Sequence, residues 1–284
     1  MDSQQKLSIL FKFASVAAAA VATYTISNIA AIFMKEKDYV EPFIKKYLFK
    51  KYTPIGKSEI MGMSCEVQRR ELRFLKDDYV STCKTPFGMN LRFIHAPKQD
   101  FSWVKNGFNK VVEMSNRFSV NNPFTANIDV VIYNDRFFLP LGTHNNLIED
   151  KKHVVVVNAK PDVSPEIVLF HELIHVVQAE SKNIFENTSQ LMNNIDEFVV
   201  INESTARAME YFAYNNYAVT PNELYKYAPN FVALVNNCGR DAITPYFKER
   251  HFNKDVAIKL AKKAPVCDEE VEIKRALEKY RENQ

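Results

Sequence analysis

His171-Glu172-Leu173-Ile174-His175 sets two imidazoles four residues apart with a carboxylate between them, the pattern by which one helix offers a metal ion two nitrogen ligands. Residues i and i+4 share a helical face, so both rings can approach one Zn²⁺ at about 2.0 to 2.1 Å. Glu172 lies about 100° further round the helix, near enough to serve a water molecule without occupying the metal. The chain has only six His, and an HExxH arises by accident in roughly one chain in a hundred of ordinary composition. The spacing therefore predicts a zinc-hydrolase site with His171 and His175 as ligands and Glu172 as general base. The competing reading is a pair of core histidines satisfied by hydrogen bonds.

The flanking residues specify the helix that must carry this pattern. Ser164-Pro165-Glu166 offers an N-cap hydroxyl, a proline at the first helical position and an acid in the first turn, and no breaker follows through Gln178. A helix is expected from Pro165 to about Glu180. Ile167, Val168, Leu169, Phe170, Leu173, Ile174, Val176 and Val177 make it apolar nearly all round, so it belongs in the core. The two His and Glu172 are its polar interruptions.

A hydrolytic zinc needs a third protein ligand and one open position. Downstream, Asp196 to Tyr217 reads as a second helix, with Val199, Val200, Ala206, Met209, Phe212 and Ala213 at helical spacing. It contains Ile201-Asn202-Glu203-Ser204. Together with HELIH, this resembles the gluzincin metallopeptidases, the thermolysin-like zincins, in which a later helix supplies a ligating Glu often written Asn-Glu. The resemblance covers little more than residues 164 to 217 and implies that Glu203 is the third ligand and Zn²⁺ the cofactor. The plain alternative for Glu203 is a surface helix carboxylate. Members of that group carry an Asp four residues after the ligand Glu to brace a zinc His; here Arg207 stands there, which leaves Glu210, Asp196 or a backbone carbonyl as candidate braces. Should Glu203 not reach the metal, Glu210, Asp196 or Glu180 would be the next ligands to consider.

Other chemistries fit less well. The metzincin extension is absent, because Gln178 and Glu180-Ser181 follow where Gly and His are required. A di-iron bundle needs a second Glu-x-x-His, and none of His95, His144, His153 or His251 has Glu three residues before it. Cys65, Cys83, Cys238 and Cys267 form no CxxC pair, so a zinc ribbon is not indicated; in an oxidising compartment they allow three disulfide pairings. Neither Cys65 nor Cys83 sits in a deformylase-like context. A formal charge of +3 is small for a chain of this size, so nothing points to nucleic acid as a partner.

Residues 1 to 34 read as a membrane anchor or signal segment. Phe13 to Met34 carry no charge and are long enough to cross a bilayer, while Lys6 and Lys12 ahead of Ala20-Val21-Ala22 resemble a cleavable signal. Residues 35 to 60 form a basic linker or amphipathic segment (YVEPFIKKYLFKKY), whose lysines suit either the cytoplasmic flank of an anchor or an anionic membrane surface. In a eukaryotic secretory route Asn202-Glu203-Ser204 would be a glycosylation sequon on the ligand helix, which a buried helix would not accept, so any export fits a bacterial-type route better.

Residues 61 to 284 are read as the catalytic domain. Cys65 to Phe74, Met89 to Ile94, Ile128 to Asn134 and His153 to Asn158 are strand-like, Phe101 to Phe118 is helical, and the chain from Pro221 is helical with a charged terminal helix over Asp268 to Glu282. Only six Gly beside 21 Phe suggest a helix-rich, aromatic-packed body. The expected fold class is α+β and zincin-like: a small mixed sheet packed on the HExxH helix, a helical C-terminal half and an N-terminal apolar helix. The expected function is zinc-dependent hydrolysis of a peptide or protein substrate by a membrane-associated or exported enzyme. Substrate would lie as an added strand on the sheet edge, with His251, Tyr211, Tyr214 or Arg207 as oxyanion donor. The rivals are a zinc-binding scaffold without turnover and a membrane-anchored interaction protein with a fortuitous HELIH.

Overall fold

The computed structural model describes residues 49–72, 78–133, 141–147, 150–159, 163–182, 195–215 and 223–248. The chain forms two compact units, one of Met1–Thr53 with Arg70–Asp77 and a larger one of Pro54–Arg69 with Asp78–Gln284. In the smaller unit Thr53 donates its hydroxyl to Glu71 at 3.1 Å, and Lys51 lies 3.7 Å from the same carboxylate.

The fold is mixed α+β, as the sequence led us to expect. Strands β1 (Phe49–Ile60), β2 (Met63–Leu72), β3 (Asp78–Lys84), β4 (Asn90–His95), β5 (Ile128–Tyr133), β6 (Gly142–Leu147) and β7 (Lys152–Asn158) form one seven-stranded sheet in the order β1-β2-β3-β4-β5-β7-β6. β4, β5 and β7 run parallel, with Phe93 opposite Val130 and Val130 opposite Val155; β3 and β6 join antiparallel. The parallel strands are apolar where they meet the core, as burial under helices demands: Leu91, Phe93, Ile128, Val130, Val155 and Val157 are all inaccessible or nearly so.

Helix α1 (Ser102–Arg117) follows β4 as the crossover to β5, burying Val104, Phe108, Val111 and Met114 along one stripe. It packs on α2 (Pro165–Ser181), the HELIH helix, which in turn lies on β6 and β7. The α1 to α2 approach is close because Gly107 has no side chain: a Cβ there would meet Leu169 Cδ2 at 3.2 Å and the Glu166 carbonyl at 3.3 Å. α3 (Ile195–Tyr214), α4 (Ala228–Cys238) and the short α5 (Pro245–Lys248) complete the described C-terminal part, joined by 3₁₀ turns at Glu223–Tyr225 and Arg240–Ile243.

Several expectations need revision. β1, β3 and β6 were not anticipated, so the body is less helix-rich than its few glycines suggested. Some tight turns use non-glycine residues in the left-handed region, Met61 beside Gly62 between β1 and β2 and Lys151 between β6 and β7. From Phe49 the basic segment runs as a strand, so an amphipathic helix cannot extend through Tyr52. Ser164 precedes α2 in an extended conformation but makes no side-chain cap; its carbonyl takes the first helical N–H groups, from Ile167 at 3.1 Å and Val168 at 3.2 Å. Residues 13 to 34, His251, Cys267 and the terminal helix expected over 268 to 282 lie outside the described residues. Among those described, no helix is long and apolar enough to cross a membrane.

Cys65 on β2 and Cys83 on β3 form a disulfide, one of the pairings left open by the sequence, and both sulfurs are buried. Among the described residues no cysteine is free.

Candidate metal centre

α2 carries His171 and His175 on the face it turns toward α3, and Glu203 of α3 meets them there. His171 Nε2 lies 3.0 Å from one Glu203 oxygen and 3.1 Å from His175 Nε2, which is 3.4 Å from the other Glu203 oxygen. Ligand atoms around a tetrahedral zinc at about 2.0 to 2.1 Å stand about 3.3 to 3.4 Å from one another, so the three groups are spaced as a shared cation would space them. Two neutral imidazole nitrogens and a carboxylate are also a donor set that zinc accepts. This trio could hold a metal ion. It is reachable as well as buried, since the Glu203 side chain keeps 24% of its exposure.

Both histidines of the trio are held from behind. His171 Nδ1 meets Glu210 Oε1 at 2.5 Å, and the other Glu210 oxygen accepts from Arg207 Nη1 at 2.7 Å. Glu210 thus stands behind His171 rather than within the trio, and Arg207, fully buried with its guanidinium 5.0 Å above the Tyr225 ring, compensates its charge. A carboxylate on the rear nitrogen fixes the ring so that Nε2 faces forward. His175 Nδ1 is held by Gln178 Oε1 at 2.7 Å, and Gln178 donates to the Asn202 carbonyl at 3.1 Å, tying the ring to the helix turn that carries Glu203. Lys182 adds a second tie, donating to Asn202 Oδ1 at 2.8 Å.

The electrostatics follow from this crowding. Burial opposes charge on His171, but Glu203 and Glu210 outweigh it and hold the ring well above its ordinary range. Burial is likewise the main opposition at His175, overcome chiefly by Glu203, and its range is raised. Glu203 is pulled far below the usual carboxylate range, against burial, by His175 and His171. Glu172 behaves differently: burial dominates and pushes it up to about 7. Its carboxylate lies against β6, close enough that a Cβ on Gly142 would stand 2.6 Å from Oε1.

The other residues singled out in the sequence fall elsewhere. Glu180 pairs with His153 at 2.8 Å, Tyr214 packs edge-on against Phe170, and Tyr211 rests on Phe212. The Asp196 side chain is outside the described residues. Two residues at the centre were passed over. Tyr225 sets its ring 6.0 Å from that of His171, and His144 of β6 stacks its ring 6.1 Å from that of His175. Tyr225 lies in a single 3₁₀ turn with no periodicity to mark it, and β6 (GTHNNL) lacks the apolar alternation of a half-buried strand. No protein-family model, curated protein or solved structure matches this chain.

Proposed function

We propose that the chain is a zinc metallopeptidase of the gluzincin type with a zincin-like fold. The observation that carries this reading is the convergence of His171 Nε2, His175 Nε2 and the Glu203 carboxylate, with the buried Glu172 carboxylate on the same helix against an edge strand. Zinc held by these three residues supplies Lewis acidity, polarising a peptide carbonyl and acidifying water. Glu172 takes the proton of the attacking water and returns it to the amine as the C–N bond breaks, and a carboxyl group that burial keeps near neutrality is suited to both transfers. Tyr225 is the phenol placed against the ligands, and Arg207, engaged with Glu210, braces rather than reaches substrate. β6 ends the sheet beside Glu172, so a peptide adding to it as a further strand brings its backbone to the base.

The Cys65–Cys83 disulfide supports an oxidising location for this domain, consistent with export or an anchor formed by residues 13 to 34. The function is tested first by metal content. One zinc per chain is expected, and His171→Ala or His175→Ala should each lower its affinity severely. A wild-type chain that takes up no zinc, or full occupancy in both variants, would sink the reading.

A further inference from the structure

Where a metzincin would place glycine, three residues beyond the second histidine, this chain has Gln178, buried on α2 with 2% of its surface exposed. A primary amide brings two donors and one acceptor into the core, and burying them unpaired is costly. Both ends of this one are engaged. Its Nε2 donates to the Asn202 carbonyl at 3.1 Å, and its Oε1 stands 2.7 Å from His175 Nδ1.

These two contacts orient the amide first and the ring second. A backbone carbonyl only accepts, so the amide nitrogen must face Asn202 and the amide oxygen must face the ring. An amide oxygen also only accepts. His175 Nδ1 therefore carries a proton, and this holds for the neutral ring and the imidazolium alike. In the neutral ring the lone pair then belongs to Nε2, the nitrogen that stands 3.1 Å from His171 Nε2 and 3.4 Å from Glu203. The two outer contacts cross the helix pair in opposite directions: Glu210 reaches from α3 to His171 on α2, and Gln178 reaches from α2 to the backbone of α3.

We infer that Gln178 is a positioning residue of the metal centre: its amide turns His175 so that Nε2 meets the ion, and it fastens that ring to the turn of α3 that carries Glu203. The inference rests on the metal centre of the proposed hydrolase and adds a residue that sets two of its ligands at once. The Asn202 side chain does not share this task, because it is engaged with Lys182 at 2.8 Å. The two imidazoles are also unequal. Glu210 puts a carboxylate behind His171, which makes that ring the more basic donor, whereas the neutral amide behind His175 orients without adding charge.

The test uses full-length protein and two readouts: zinc affinity by chelator competition, and the imidazole N–H signals of cobalt-loaded protein by proton NMR. Wild type should show one metal-shifted, slowly exchanging N–H signal from each ring, because coordination through Nε2 leaves both Nδ1–H groups behind the ion. Coordination of His175 through Nδ1 overturns the inference, and this spectrum decides the point even if a variant fails to fold. Gln178→Met keeps the length and removes both hydrogen bonds; it should weaken zinc by about 10- to 100-fold and bring the His175 N–H into fast exchange while the His171 signal persists. Gln178→Glu, which retains an acceptor for Nδ1–H, should bind zinc more tightly than Gln178→Met. Wild-type zinc affinity in Gln178→Met, or equal losses in the two variants with both N–H signals intact, overturns this inference alone and leaves the hydrolase standing. A wild-type chain that binds neither zinc nor cobalt overturns both readings together.

Discussion

Two glutamates, Glu172 and Glu203, face the same cluster with opposite electrostatics, and their variants should part accordingly. Glu203 is held anionic by the two imidazoles, whereas burial raises Glu172 to about 7. Glu172→Gln keeps the shape and removes the base, so zinc should remain bound while peptide hydrolysis falls by roughly 10²- to 10⁴-fold. Glu203→Gln removes an anionic ligand, so zinc should bind more weakly and activity should fall with occupancy. Equal zinc affinity in wild type and Glu203→Gln, measured by chelator competition, would remove the third ligand. Glu210 could not then replace it without giving up His171 and Arg207. At this scale the sequence was informative because spacing on a helix dictates side-chain direction. It marked His171, Glu172, His175 and Glu203, and kept Glu210 among the candidate braces. It could not choose Glu210, because a brace is selected by the rotation of α3 against α2, which no local spacing encodes.

At the scale of elements, α1, α2, α3, β4, β5 and β7 announce themselves by periodicity or by runs of apolar residues, since each buries a face against the others. β6 does not, being an edge strand of polar residues, yet it is the element that touches Glu172. Gly142 explains how: any side chain there would collide with Glu172 Oε1 at 2.6 Å and Val168 Cγ1 at 2.7 Å. Gly142→Ala should therefore push β6 or the Glu172 carboxylate aside, costing about 1 to 3 kcal/mol and lowering hydrolysis while zinc affinity holds. Wild-type turnover and melting temperature in that variant would show that the approach of β6 to α2 is looser than described.

The tie from α2 to α3 has its own signature. Burial lowers Lys182 to about 7, well under the roughly 10.4 of an unfolded lysine. Between those values the unfolded chain holds a proton that the folded chain has shed, so this residue's contribution to stability rises with pH and its cost is full below 7. Lys182→Met should abolish that dependence: relative to wild type it should be most favourable near pH 7 and lose ground toward pH 10, by urea unfolding. A stability difference that stays flat across that range would mean Lys182 remains charged in the fold.

For the whole molecule, the class α+β was legible from alternating strand and helix signals, but the sheet's full width was not. β1 and β3 carry charged and hydroxyl residues where an isolated strand would alternate cleanly, and their place is set by neighbours distant in sequence. The pairing of Cys65 with Cys83 belongs to the same class of fact. Four cysteines permit three pairings, and only the adjacency of β2 and β3 selects this one. The link closes a loop with a sequence separation of 18, for which restriction of the unfolded chain is worth about 3 kcal/mol. The double variant Cys65→Ala/Cys83→Ala should therefore melt about 6 to 12 °C below wild type while keeping its zinc. Reductant should lower the melting temperature of wild type and, through this link, have no effect on the variant. If oxidised wild type and the double variant melted together, β2 and β3 would be held by their ladder alone, and the case for an oxidising compartment would lose its support from this bond.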